Sequence, residues 1–205
     1  MDRASHWERV YSEKAPRDTS WFEDDPTESL DLLLLTGLES GTSVIDIGAG
    51  RSPLPRSLVD RGLHDVTALD VSREALDQLD SAEGRVTRVV ADITSWLPER
   101  HYDRWHDRAV LHFLSAEDAQ LYRRTMLDAL TPHGAVVIGV FSDSGPESCS
   151  GLPVTRYREE DLLEWLGPEF LVLDTRHHTH HTPWGAAQDF VWVAASRDPQ
   201  KMSLT

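Results

Sequence analysis

Three short apolar runs, each delivering an aspartate at its carboxyl end, constrain this chain more than any other feature. The first, Ser43-Val44-Ile45-Asp46-Ile47, breaks into Gly48-Ala49-Gly50-Arg51-Ser52-Pro53-Leu54. The second is Asp65-Val66-Thr67-Ala68-Leu69-Asp70, followed by Val71-Ser72, and the third is Val86-Thr87-Arg88-Val89-Val90-Ala91-Asp92-Ile93. The first run is too short and too rich in β-branched residues to be a helix and reads as a buried strand, and the other two read as further strands. Gly48 and Gly50 permit positive φ or the close approach of a ligand to bare backbone, and Pro53 suits the first turn of a following helix. Taken alone, that fragment is equally an ordinary strand-to-helix turn. Asp70, however, follows the glycines by about 20 residues, the distance expected of a carboxylate that holds a ribose in a βαβ unit. In an open α/β sheet only one rim receives all three acids, and that rim is where nucleotides bind.

The connecting segments fit a doubly wound sheet. A helix from Leu54 to Arg61 stops at Gly62, and Ser72 caps a second that runs to about Ala82. Upstream, Trp7, Val10 and Tyr11 recur at helical spacing, followed by Pro16 and Ser20-Trp21-Phe22. A further helix is predicted from Pro26 to Leu38, with Leu30, Leu33, Leu34 and Leu38 inward and Gly37 or Gly41 ending it. His101 to Leu114 contains a fourth strand that closes on His106, Asp107 and Arg108, polar residues in a place that should be mostly apolar. Ser115 then caps a helix through Leu130, Thr131-Pro132-His133-Gly134 ends it, and Ala135 to Phe141 is a fifth strand. A turn-rich loop, Ser142 to Pro153, follows on the functional rim, where long loops usually carry function. After a helix from Glu159 to Leu166, strands at about Phe170–Arg176 and Asp189–Ala195 are joined by a loop, His177 to Gly185. Residues Asp198 to Thr205 read as a frayed end.

A dinucleotide site would carry a third glycine, and Pro53 occupies its position. At this point the chain resembles the class I S-adenosylmethionine-dependent methyltransferases, over almost its whole length. The resemblance implies a Rossmann-like, mostly parallel seven-stranded sheet with an antiparallel strand near the carboxyl end, in one domain spanning residues 1–205. It implies S-adenosyl-L-methionine as cofactor, with Asp46, Gly48 and Gly50 at its methionine part, Asp70 and Val71 at its ribose and Asp92 and Ile93 at its adenine. Ser52 stands where the family loop often has another glycine. Residues 1–25 are implied to form a lid arm, with Trp21 and Phe22 over the substrate entrance. Trp105-His106-Asp107-Arg108-Ala109, Cys149-Ser150-Gly151-Leu152-Pro153 and His181-Thr182-Pro183-Trp184-Gly185 are similar to a bacterial branch of methyltransferase-domain proteins. The amino-terminal arm and the Asp-Arg after strand four are more distantly similar to protein lysine methyltransferases.

The chain has 205 residues, with Lys+Arg 20 against Asp+Glu 35 and a net charge of -15. Such a surface repels a polyphosphate backbone, which argues against nucleic acid as partner and mildly favours a neutral or cationic acceptor. One cysteine, Cys149, excludes an internal disulfide framework. No long apolar span or signal peptide is evident, so the expectation is a cytoplasmic protein without a membrane partner.

Methyl transfer from a sulfonium is an in-line displacement in which positioning carries much of the rate, and a protonated nucleophile also needs a base. Histidine is the usual base. His112 and His181 are therefore the catalytic candidates, with Asp107 and Arg108 as orienting groups and Phe113 and Cys149 as further substrate contacts. The alternative for Asp107 and Arg108 is a structural ion pair, and for Cys149 an inert small side chain. His177, His178, His180 and His181 lack the clear metal spacings, so no metal is expected. The preferred activity is methyl transfer to a small molecule. A protein lysine acceptor, or a non-catalytic protein that binds the cofactor, is the alternative.

Overall fold

The computed structural model describes residues 2–80 and 82–198. A seven-stranded sheet has the order β3-β2-β1-β4-β5-β9-β8. Its strands are β1 (Ser43–Ile47), β2 (Asp65–Asp70), β3 (Val86–Val90), β4 (Tyr102–Arg108), β5 (Leu130–Phe141), β8 (Phe170–His181) and β9 (Ala187–Arg197). All neighbouring pairs are parallel except those made by β9, which runs antiparallel to both β5 and β8. A two-stranded hairpin, β6 (Ser148–Cys149) with β7 (Leu152–Pro153), sits in the loop after β5.

Helices cover both faces, as a parallel sheet requires. On one side α5 (Ala116–Ala129) and α6 (Glu159–Leu166) pack Tyr122, Met126, Leu162 and Leu166 onto Ile45, Trp105, Ile138 and Val193. On the other, α2 (Thr27–Leu35), α3 (Leu54–Asp60) and α4 (Arg73–Gln78) cover Val44, Val66, Val137 and Trp192. The chain begins with α1 (Arg3–Glu13), capped by Asp2, whose carboxylate accepts the Ser5 amide at 2.9 Å. This helix lies against α4 on the rim that carries the carboxyl ends of β1 to β3.

Several sequence expectations are corrected. In α2 it is Ser29, Leu30, Leu32 and Leu33 that face inward, while Leu34 is exposed, because the leucine run from 32 to 35 supplies apolar residues to every side of the helix. Helix α4 stops at Gln78 and not near Ala82, since Ala82 and Glu83 take positive φ of 50° and 62°. The segment from His177 to His181 is strand, not loop, because β9 begins at Ala187 and pairs with β8 as far as His181. The turn itself is Thr182 to Ala186, closed by Thr182 N donating to Ala186 O at 2.9 Å. Strand β5 starts directly at Leu130 and absorbs Thr131 to Gly134 in a register shift opposite β4. The expected fraying of Asp198 to Thr205 falls, beyond Asp198, outside the described residues. No helix among the described residues is long and apolar enough to cross a membrane.

Candidate active site

The carboxyl rim of β1, β2, β3 and β4 opens into a largely apolar cleft. Its floor begins with the glycine turn after β1. Gly48 and Gly50 take φ of 63° and 53°, and a side chain at either would collide, with Val110 Cγ2 and the Tyr11 hydroxyl respectively. Gly48→Ala is therefore expected to cost about 1–3 kcal/mol in a thermal melt, while Gly62→Ala, with nothing within 4 Å of its added carbon, would meet only the backbone penalty. Equal losses for both would show that crowding against Val110 is unimportant.

Asp70 closes the loop from the second strand. Its Oδ2 accepts the Gly50 amide at 2.8 Å and its Oδ1 the Ser72 amide at 2.8 Å, so one carboxylate holds both loops in register. Burial pushes it up to about 6 against the pull of those amides. Asp92 accepts two hydrogen bonds from Arg3, at 2.9 and 2.8 Å, and others from Thr94. Partial burial raises its carboxyl, but the Thr94 and Arg3 contacts outweigh this and hold it below the usual range. Val71 and Ile93 line the cleft beside these acids.

Asp46 is 2% exposed and lies beneath this surface, not in the wall. Its Oδ1 is 2.7 Å from His106 Nδ1, and its Oδ2 is buried with no partner among the described residues. A bare-backbone turn after β1, with a carboxylate at each of the next two strand ends, suits a ligand carrying a ribose and an amino-purine. The residues present thus fit S-adenosylmethionine.

The amino-terminal segment roofs the cleft. Arg3 also reaches Asp118 at 2.8 Å, and the Glu8 carboxylate accepts from Ser72 Oγ at 2.6 Å and, at 3.3 Å, from the Glu74 amide at the start of α4. Arg51 donates to the carbonyls of Tyr11 and Lys14. Trp7 packs edge-on against Phe113 at 5.0 Å and against Trp21 at 5.7 Å, and these rings with Tyr11 form one wall.

The residues expected at the substrate end divide into two groups. Arg108, Phe113, Trp21 and Cys149 line the cleft, whereas Asp107, His112, His181 and Phe22 do not. Asp107 is fully buried, and its carboxylate accepts from the Val110 and Leu111 amides and from the Tyr122 hydroxyl. It fixes the turn after β4 and is not paired with Arg108, contrary to the ion-pair expectation. His112 is 1% exposed, accepts the Phe141 amide through Nδ1 at 3.1 Å, and is driven by burial down to about 3. A nitrogen already engaged by an amide, in a ring that stays neutral, cannot collect a proton at neutral pH, so the geometry corrects its candidacy as a base. His181 is exposed at the hairpin end, in a shallow outer hollow with Arg17, Asp24 and His178. Phe22 lies beneath the Arg17 guanidinium, facing a smaller hollow beside the cleft.

Arg108 donates to the Trp21 carbonyl at 2.9 Å, pairs with Glu23 at 3.5 Å and lies 5.4 Å over the Phe190 ring. Cys149 Sγ is 3.6 Å from Ser20 Oγ, and burial pushes its thiol up, so it stays protonated. Sequence reasoning missed Arg3, Glu8, Gln188 and Phe190. The first two carry no local signal because their partners are more than 60 residues away, and the last two lie in the hairpin strand that only the tertiary fold brings to the rim. Among the described residues no group of three or more His, Cys, Asp or Glu side chains is arranged to hold a metal ion.

Residues 44–134 match the profile of a family described as methyltransferase domain. No protein of curated function matches the sequence. Among solved structures, one from a study of the conversion of a disulfide bond into a thioacetal group during echinomycin biosynthesis is 20% identical, covers 98% of this chain and 95% of that one, and superposes with a TM-score of 0.74. The 1,6-didemethyltoxoflavin-N1-methyltransferase of Burkholderia thailandensis, with 1,6-didemethyltoxoflavin and S-adenosylhomocysteine bound, is 22% identical over 95% of this chain and 84% of that one, with a TM-score of 0.68. The N-methyltransferase NodS of Bradyrhizobium japonicum WM9, in complex with S-adenosylhomocysteine, is 16% identical over 96% and 99%, with a TM-score of 0.71. At these identities the structural likeness is one of fold.

Proposed function

We propose that the chain, whose residues 44–134 match a methyltransferase domain, is a class I S-adenosylmethionine-dependent methyltransferase that methylates a small molecule held in the inner half of the cleft. The observation that carries the reading is the roof. Trp7, Tyr11 and Trp21 close over the glycine turn and Phe113, leaving a partly apolar chamber where a protein substrate would need an open groove. The Burkholderia thailandensis neighbour, with 1,6-didemethyltoxoflavin bound, supports a small-molecule acceptor.

In this reading the turn at Gly48 and Gly50, above the buried Asp46, receives the amino-acid end of the cofactor, Asp70 and Val71 the ribose, and Asp92 and Ile93 the adenine. When bound, the cofactor supplies an electrophilic methyl group on a sulfonium. Arg108, Phe113, Cys149 and Trp21 then hold the acceptor in line, and positioning carries the catalysis, since the cleft carboxylates Asp70 and Asp92 serve the cofactor and the Cys149 thiol stays protonated. Residues 1–25 act as the lid, latched by Arg3 to Asp92 and Asp118.

Half-buried ion pairs of this kind contribute on the order of 1 kcal/mol, so Arg3→Ala is expected to speed S-adenosylhomocysteine dissociation about fivefold. Stopped-flow tryptophan fluorescence would follow it through Trp7 and Trp21, and an unchanged off-rate would remove the latch. The acceptor class is tested by incubating the enzyme with methyl-labelled cofactor and a lysate separated into metabolites and proteins. Label in the metabolite fraction is the expected result, and label confined to protein would replace the small-molecule reading with the protein one.

A further inference from the structure

One polar group in the cleft is left without work. Gln188 lies on β9 at the rim, 7% exposed, opposite His180 in the strand register, and lines the cleft. Its carboxamide makes no hydrogen bond among the described residues, and its polar atoms are not among the fully buried ones that lack a partner, so the amide is open to the cleft. Its surroundings explain why the fold leaves it so. His180 spends its Nε2 on the Ser20 carbonyl at 2.8 Å, and Arg108 spends its donors on Trp21 and Glu23. Neither competes for Gln188. A carboxamide has two donor hydrogens and one acceptor oxygen on a planar edge, and it is complementary to another edge that accepts and donates side by side.

The rest of this end of the cleft is aromatic. Phe113, Phe141, Phe190 and Trp21 line it, with Phe141 and Phe190 edge-on at 4.8 Å. Such walls favour a flat π-system, by stacking and edge-to-face contact. Among the described residues the cation at this end is Arg108, which already has a carboxylate and a ring face as neighbours, so the chamber does not call for a charged ligand.

We propose that the acceptor is a flat, uncharged heteroaromatic molecule with a lactam-type edge, its faces covered by the phenylalanine wall and its edge paired with the Gln188 carboxamide. This rests on the small-molecule reading above and narrows it to one chemical class. Gln188 is a specificity residue here and does not touch the cofactor's acids.

The test is calorimetric titration of the S-adenosylhomocysteine-loaded enzyme with bicyclic lactams (2-quinolone, isoquinolin-1-one and quinazolin-4-one) and with naphthalene as a probe lacking the edge. At least one lactam is expected to bind the wild type, and Gln188→Leu, of similar volume, to weaken it about tenfold, the loss of a paired amide edge. Naphthalene should bind both proteins alike. Gln188→Glu, which replaces the donors by acceptor oxygens, should weaken the lactam at least as much. S-adenosylhomocysteine affinity is expected to be the same in all three proteins, which also reports that the variants are folded. Absence of lactam binding to the loaded wild type, or an equal loss for lactam and naphthalene in Gln188→Leu, overturns the proposal and leaves methyl transfer to other small molecules standing. Failure of S-adenosylhomocysteine itself to bind would overturn both, and is read out separately in the first titration.

Discussion

Replacing Asp70 by alanine is expected to weaken S-adenosylhomocysteine binding by at least about tenfold, some 1.5 kcal/mol, the contribution of a charge-assisted hydrogen bond. Two effects combine. The carboxylate that would receive the ribose hydroxyls is gone, and the amides of Gly50 and Ser72 lose the acceptor that ties their loops together. The pH dependence separates these effects. Burial holds Asp70 up at about 6 in the ligand-free protein, above the ordinary 3.8, so below pH 6 the acid is mostly neutral and above it mostly ionised. Hydroxyl donors favour the ionised form, and cofactor affinity should therefore rise with pH through about 6 and level off above 7. Asp70→Asn preserves the shape and should lose that rise. A rise retained in Asp70→Asn would assign it to another group.

The largest loss of stability is expected at Asp107. Three donors converge on its buried carboxylate, from Val110, Leu111 and Tyr122, and the Tyr122 hydroxyl in turn accepts from Trp105 Nε1 at 2.8 Å. Asp107→Ala leaves several of these groups buried and unpaired, at a cost of about 3 kcal/mol or more. Asp107→Asn is not a rescue, since its amide nitrogen would face a donor. Tyr122→Phe removes one member and should cost about 1 kcal/mol. Denaturant melts check the order. If Asp107→Ala melts like the wild type yet loses turnover, the residue acts on substrate and not on the turn that carries Phe113.

These two aspartates also mark how far the sequence could be read. The strand ends and the glycine turn were legible because their signal is local: a β-branched run, a glycine turn and an acid at the end of each strand are set by a few neighbouring residues. The seven-stranded, mostly parallel sheet and the antiparallel strand near the carboxyl end followed from the family resemblance those motifs carried. Asp107 and His112 were singled out correctly as unusual, but a polar residue at a strand end can face the cleft or brace the backbone behind it. The difference lies in one turn of local geometry, since Leu111 to Phe113 forms a 3-10 turn that sends Phe113 toward the cleft and His112 to the Phe141 amide. His181 was misplaced for a simpler reason. The histidine run reads as a polar loop until β9 is seen to pair along its whole length. The roof could be anticipated from the aromatic spacing at Trp7 and Tyr11, but its latches could not, because Arg3 to Asp92 and Glu8 to Ser72 connect segments with no shared local pattern.

The claim that joins all of this is that Asp46, Asp70 and Asp92, under the amino-terminal roof, form one adenosyl site. Calorimetric titration of the purified protein with S-adenosylhomocysteine and, separately, with NADH tests it most directly. Heat of binding with the adenosyl compound, a melting temperature that rises with its concentration, and no heat with NADH are the results predicted. Clear binding of NADH with no response to S-adenosylhomocysteine would contradict it.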